Sequence, residues 1–145
     1  MQRWVERVVE HPVTWWLACA AMALMFVVSG LAKVLVWDIS VAEVAAAGLQ
    51  PAALYTLASA VVLLVGSALL FTVRWVWLGA GALAVFLVLT ILLVHRFWAL
   101  EGAAAQTALL MTLEHLSVIG GLMALAVAGQ LRQRGSVRRD AEVQR

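Results

Sequence analysis

Charge is scarce in this sequence, and that scarcity excludes a water-soluble fold. Only 12% of the 145 residues are Asp, Glu, Lys or Arg, whereas 65% are hydrophobic and the mean hydropathy is +0.99. Soluble domains are about a quarter charged and about half apolar. Four apolar stretches, each long enough to cross a hydrocarbon core of about 30 Å, fill most of the chain. We therefore predict an all-α integral membrane protein, a bundle of four transmembrane helices in the lipid bilayer.

Cysteine and clustered metal ligands are also scarce. Cys19 is the single cysteine, so neither an intramolecular disulfide nor a CxxC redox pair can form. The histidines make no HxxxH motif or Cys/His cluster, and we therefore expect no metal site and no intrinsic cofactor. We also argue against haem between His95 and His115, because straight helices would hold them at depths about 18 Å apart. A redox role would need a partner or a borrowed cofactor, and the one that we consider is a quinone.

The basic residues are distributed unevenly among the segments that link the apolar stretches. If both termini are cytoplasmic, eight arginines lie on the cytoplasmic side and only Lys33 and Arg96 lie outside. Membrane insertion favours this bias, so we predict that both termini face the cytoplasm. Because the basic residues form no continuous face, nucleic acid is not an expected partner. The eight are Arg3, Arg7, Arg74, Arg132, Arg134, Arg138, Arg139 and Arg145.

Hydropathy and local helix signals give the limits of the spans. We predict helices over about 13–35, 51–72, 75–94 and 103–131, which form one membrane domain of residues 1–131. Ser40 and Glu43 have the spacing of a capping box, which predicts a short outer-face helix over 41–47 that ends at Gly48. Residues 132–145 are polar and basic, and we predict that they form a mobile cytoplasmic tail.

Small residues indicate where the helices pack, because lipid provides no hydrophobic drive for helix association. Ser117 and Gly121 are separated by one helical turn on the last span, and Gly120 extends this pattern to an adjoining face. Gly66 offers a further contact point on the second span. We therefore expect the last helix to lie at the centre of the bundle.

Two adjacent ionisable residues, Glu114 and His115, interrupt the last apolar stretch. Glu114 lies about 17 Å along the predicted helix, near mid-membrane, where a carboxylate is costly and should face the bundle. One hypothesis is that the two residues bind the oxygen of a quinone-like ligand and exchange a proton with it. The alternative is a structural polar clasp between helices.

A second group of candidate residues gathers at the outer ends of the spans. Lys33, His95 and Trp98 are all predicted to lie on this face, together with Arg96 and Glu101. In one role, Lys33 extends to the lipid headgroups. In the other, it pairs with Glu101, or it holds an anionic head or a quinol oxygen beside His95 and Trp98. Sequence spacing does not choose between these two roles.

Four segments resemble the DoxX family of small four-helix membrane proteins. They are Phe26-Val-Val-Ser-Gly-Leu-Ala-Lys33, Ala47-Gly-Leu-Gln-Pro51, His95-Arg-Phe-Trp98 and Gly120-Gly121, in that order. The resemblance covers about residues 25–129. It implies a bacterial membrane protein, in a family named for a quinone-linked oxidising subunit. The chain departs from the family pattern at residues 57–63, which lack the acidic residue of many members, and at Glu114-His115, where a lysine-asparagine pair is common.

These observations favour one function and leave two others open. We expect a multi-pass protein of the bacterial cytoplasmic (inner) membrane that serves an oxidoreductase system as a subunit or accessory protein, with quinone or lipid binding. The first alternative is a non-catalytic scaffold that docks a larger membrane complex or forms a homo-oligomer. The second is a small-solute carrier. No self-contained catalytic motif is visible, so the sequence leaves open whether the chain takes part in catalysis.

Overall fold

The chain folds into helices joined by short connections. The computed structural model describes residues 2–143, and the side chains of residues 4–136. Within that part, four helices are long and apolar enough to cross a membrane, which confirms the predicted all-α architecture with four spans. The elements are α1 (Gln2–Glu10), α2 (Pro12–Leu35), α3 (Trp37–Ala46), α4 (Ala52–Leu70), α5 (Val76–Leu93), a 3₁₀ turn (Phe97–Ala99) and α6 (Gly102–Val143).

The last helix is longer than the sequence predicted. Our predicted end, Leu131, marks the loss of apolar character, whereas α6 continues to Val143. The residues that follow Leu131 include Gln, Arg, Ala and Glu, which all favour helix, and one glycine costs only about 1 kcal/mol in a helix. Hydropathy therefore located the end of the apolar segment but not the end of the helix. The mobility of residues 132–145 stays a prediction, and the last two lie outside the described residues.

An N-terminal helix, α1, precedes the first span, where we predicted none. Pro12 occupies the first turn of α2, and His11 caps that helix by accepting a hydrogen bond from the Val13 N–H at Nδ1 (3.2 Å). The Thr14 hydroxyl donates to the carbonyl of Val8 and ties α1 to α2. One face of α1 carries exposed apolar side chains, those of Trp4, Val5, Val8 and Val9.

The connection between α2 and α4 differs from the predicted capping box. The chain bends at Val36 and resumes a helix at once, so α3 begins before Ser40. The Ser40 N–H donates to the Val36 carbonyl (3.0 Å). Ser40 therefore lies within α3 rather than at its N-cap, and the Ser40 side chain is buried. Gly48 adopts φ +82°, a left-handed conformation that glycine tolerates, and ends this segment as predicted.

The spans pack in the order α2, α4, α5 and α6, and α3 packs on α4. Our expectation that the last helix is central is therefore wrong, because α4 and α5 occupy the middle. Phe26, Leu63, Leu83 and Leu122 are among the fully buried side chains that join neighbouring helices. Gly66 lies at the α4–α5 contact and faces Leu83.

Helix α6 approaches α2 only near the end that carries Arg74 and Arg132, which we call the arginine end. There Gly121 faces Met22, and Gly129 faces Trp15 and Val76. We call the opposite end, which carries His95 and His115, the histidine end. Ser117 and Glu114 precede Gly121 by one and two turns on the same face of α6, and both are exposed rather than covered by α2. We infer from this exposure that a gap between α2 and α6 opens toward the histidine end.

The orientation of α6 contradicts two of our expectations: that Glu114 faces the bundle, and that Ser117 and Gly120 pack against other helices. Glu114 and Ser117 are exposed, whereas Thr112, Leu122 and Leu125 are buried, so the larger side chains form the packed face. Bulky side chains gain more dispersion contacts against α5 than glycine or serine would. Ser117 donates a hydrogen bond to the Leu113 carbonyl of its own helix (3.0 Å), and a Cβ on Gly120 would meet open space.

Candidate functional site

His95 and His115 lie against each other at the histidine end. Their ring centroids are 5.0 Å apart with an interplanar angle of 79°, an edge-to-face contact. Both side chains are half-buried. Our expectation that helix geometry keeps these residues far apart in depth is therefore wrong.

The relative position of α5 and α6 explains this contact. Gly129 of α6 faces Val76 at the start of α5, and His115 meets His95 just beyond the end of α5. The first turns of α6 thus extend past the end of α5, and the 3₁₀ turn packs along them. The predicted depths of His115 and Glu114 are counted from the start of α6 and assume that α5 and α6 end at one level. Glu114 instead lies level with the end of α5.

The backbone after α5 holds His95 in place. The N–H groups of Val94 and His95 both donate to the Thr90 carbonyl, at 2.9 and 3.1 Å, which closes the last turn of the helix. The chain then forms the 3₁₀ turn, in which the Phe97 and Trp98 rings make an edge-to-face contact at 5.1 Å. The Trp98 side chain is 56% exposed, so an aromatic surface is available close in sequence to the histidine pair.

The other candidate residues do not join this pair. Glu114 is exposed beside the gap between α2 and α6, and Lys33 is half-buried on α2. Among the side chains of residues 4–136, no hydrogen bond, ion pair or ring contact links Lys33 or Glu114 to either histidine. Lys33 and Glu101, which we had considered as a pair, are likewise not joined.

The two imidazoles have a definite chemical capacity. Each neutral ring carries one N–H donor and one nitrogen acceptor, and imidazole is the side chain that changes charge most readily between pH 5 and 8. Two adjacent rings can therefore donate to a ligand oxygen and pass a proton to it. In the part of the chain that the structure describes, no group of three His, Cys, Asp or Glu side chains could hold a metal ion.

Sequence reasoning missed a second polar contact, at the arginine end. The guanidinium carbon of Arg132 lies 5.3 Å from the centroid of the Trp15 ring, which is itself buried. Both residues were visible in the sequence, Trp15 as an interfacial aromatic and Arg132 as a topology signal. Only the relative position of α2 and α6 reveals that they meet.

Comparison with known proteins gives one match. The family model described as DoxX matches residues 14–96, more than half of the chain. The matched region runs from the start of α2 to the residue after His95, so it includes one histidine of the pair and ends before α6. Neither the comparison with curated proteins nor the comparison with solved structures gives a match.

Proposed function

This chain belongs to the DoxX family, and on that premise we propose that it is a quinone-binding subunit or accessory protein of a membrane-bound oxidoreductase system. The observation that carries the proposal is the contact between His95 and His115 at the end of α5. Two polar rings from separate spans converge there on an otherwise apolar bundle. Intramembrane ionisable residues are rare and commonly mark ligand or proton sites.

The chemistry of a quinone suits this pair. A quinone carbonyl accepts hydrogen bonds, and its reduction to quinol takes up one proton for each electron. In our proposal one imidazole N–H donates to the quinone oxygen, and the adjacent ring replaces the proton from solvent. The electrons come from a partner protein, because this chain offers no CxxC pair. The Trp98 ring provides a surface on which the quinone ring can stack.

Quinone retention in purified protein tests the proposal. Wild-type protein should retain quinone after detergent extraction, and the double variant His95→Ala/His115→Ala, which has no side-chain donor at either position, should retain at least about tenfold less, equivalent to one or two lost hydrogen bonds. The matched control is His11→Asn, which alters the third histidine but keeps an N-cap acceptor for α2. Wild-type protein without quinone, or equal retention in the double variant, would reject the proposal.

One observation favours a second candidate, a scaffold that docks a larger membrane complex. Glu114 is exposed beside the gap between α2 and α6, in the candidate span Gly102–Ser136. An ionisable side chain within a span normally faces a protein partner or a water-filled cavity. A helix of a partner, or of a second copy, that enters the gap would supply hydrogen-bond donors to Glu114.

The size of the assembly in mild detergent tests this second candidate. If a partner helix occupies the gap, Glu114→Gln should weaken the assembly, whereas Glu101→Gln, which alters an exposed glutamate before the start of α6, should not. Wild-type protein that runs as a single chain, or an assembly that Glu114→Gln leaves intact, would argue against a scaffold.

A further inference from the structure

A cleft of about 1200 Å³ opens between α1, α2 and α6 at the arginine end, far from the histidine pair. Its floor is apolar and made of small side chains, and Ala18 and Met22 of α2 form one wall. Gly121, Ala124 and Ala128 of α6 form the other side of this trough. The mouth is polar and includes Arg132, Thr14 and Glu10.

The dimensions of the trough match one leaflet of a bilayer. The helical rise from Gly121 to Arg132 is about 16 Å, and half of a hydrocarbon core is about 15 Å. The trough is also narrow, because Gly121 faces Met22 at one end and Gly129 faces Trp15 near the other. A helix about 10 Å wide is too broad to enter the trough between these two contacts. A single acyl chain is narrow enough to lie along it.

Two features of the cleft suit a phosphate ester. The Arg132 guanidinium carbon lies 5.3 Å from the centroid of the Trp15 ring, and within residues 4–136 Arg132 forms no ion pair with a carboxylate. Without a carboxylate partner, the guanidinium has N–H donors for a bidentate phosphate contact. The second feature is Trp15, which lines the cleft and whose buried Nε1–H has no hydrogen-bond partner among the described residues. A buried donor without an acceptor is costly, and a bound ligand that brings an acceptor to this residue would relieve that cost.

We propose that this cleft binds one anionic glycerophospholipid, with its phosphate on Arg132 and one acyl chain along the trough. The charge at this end favours an anionic headgroup, because the arginines of the chain concentrate there and basic pockets between spans attract anionic lipids. The bound lipid fills the space that α2 and α6 leave between their contacts at Gly121 with Met22 and at Gly129 with Trp15. This proposal does not depend on the function proposed for the histidine end.

Lipid titration of the full-length protein tests the headgroup. We expect native mass spectrometry in detergent to record one tightly bound phosphatidylglycerol and weaker binding of phosphatidylcholine. Arg132→Gln should weaken phosphatidylglycerol binding about tenfold, as expected for loss of a charge-assisted contact. Arg134→Gln is the matched control, because Arg134 is exposed on the same helix and does not line the cleft.

A second pair of variants tests the trough. Ala128→Leu should fill it and reduce lipid retention, whereas Ala20→Leu, at an exposed position of α2 outside the cleft, should not. Thermal unfolding of each variant separates loss of binding from loss of fold. Equal affinity of Arg132→Gln and wild type, equal affinity for the two lipids, or full competition by glycerol phosphate without acyl chains would each overturn the proposal.

Discussion

Gly66 and Gly79 set the closest approach of two spans. A Cβ at Gly79 would lie 2.7 Å from the Gly66 carbonyl oxygen and 2.7 Å from Cβ of Leu69, so the backbone itself stands in the way. Close packing of this kind replaces the hydrophobic drive that lipid cannot provide. The contact holds α5 on α4 and so fixes the position from which His95 meets α6.

We therefore predict that Gly79→Ala lowers the free energy of unfolding by about 1–3 kcal/mol, the usual cost of overpacking. Gly81→Ala is the control, because a Cβ at Gly81 meets nothing within 4 Å. That substitution should be neutral or stabilise by up to about 1 kcal/mol, since alanine favours helix over glycine. Unfolding in detergent, followed by circular dichroism, measures both. Equal stability of the two variants would contradict the packing described here.

Sequence reasoning identified the two histidines but not their contact. Periodicity assigns each residue to a helix and a face, and it places Glu114 and Gly121 on one side of α6. It does not give the longitudinal offset between α5 and α6, which depends on how Gly129 meets Val76 and on the path of the 3₁₀ turn. That offset determines the position of Glu114 relative to the end of α5, and it brings the rings of His95 and His115 into contact.

Among the elements, α1 is the one whose sequence is most clearly amphipathic. Trp4, Val5 and Val8 are exposed on one face, and Glu6 lies on the opposite side of the helix. A short helix with apolar and charged faces, attached directly to a transmembrane span, favours the plane of the membrane interface. The link from Thr14 to Val8 holds α1 beside the start of α2.

We predict that α1 lies in the interface with its apolar face toward the lipid. In a Cys19→Ala background, a spin label at Val8→Cys should collide more with oxygen than with a water-soluble nickel reagent. A label at Glu6→Cys should show the reverse. Equal exposure of both labels to the aqueous reagent would place α1 in water.

Local signals predicted some element boundaries and failed at others. Gly48 ends its segment as its backbone freedom predicts, whereas Ser40 and Glu43 have the spacing of a capping box but lie inside α3. The bend at Val36 decides this, because the next helix starts before the capping residues are reached. A capping motif is therefore informative only when the preceding helix ends well before it.

At the scale of the whole molecule, the spans form a row rather than a closed bundle. Helices α4 and α5 are central, and α2 and α6 meet only near the arginine end. Composition predicted the number of spans but not this order, because small residues are abundant on several faces. The incomplete contact between α2 and α6 produces both the lipid-sized trough and the exposed setting of Glu114.

The distribution of arginines predicts how this row crosses the membrane. Cysteines at Glu6 and Arg134 should react with a membrane-impermeant maleimide from the cytoplasmic side, and a cysteine at Glu101 only from the outside. Sealed vesicles of known orientation and a Cys19→Ala background make the assay specific. Labelling of Glu6→Cys and Arg134→Cys from opposite sides would rule out a four-span topology.

The most direct test of the proposed function uses the small number of histidines. The chain has three, so ¹⁵N-histidine labelling gives three imidazoles for solid-state NMR in bilayers. On addition of a short-chain quinone, we predict that the ring nitrogens of His95 and His115 shift and those of His11 do not. Resonances that all stay unchanged, or a shift confined to His11, would contradict a quinone site at the paired histidines.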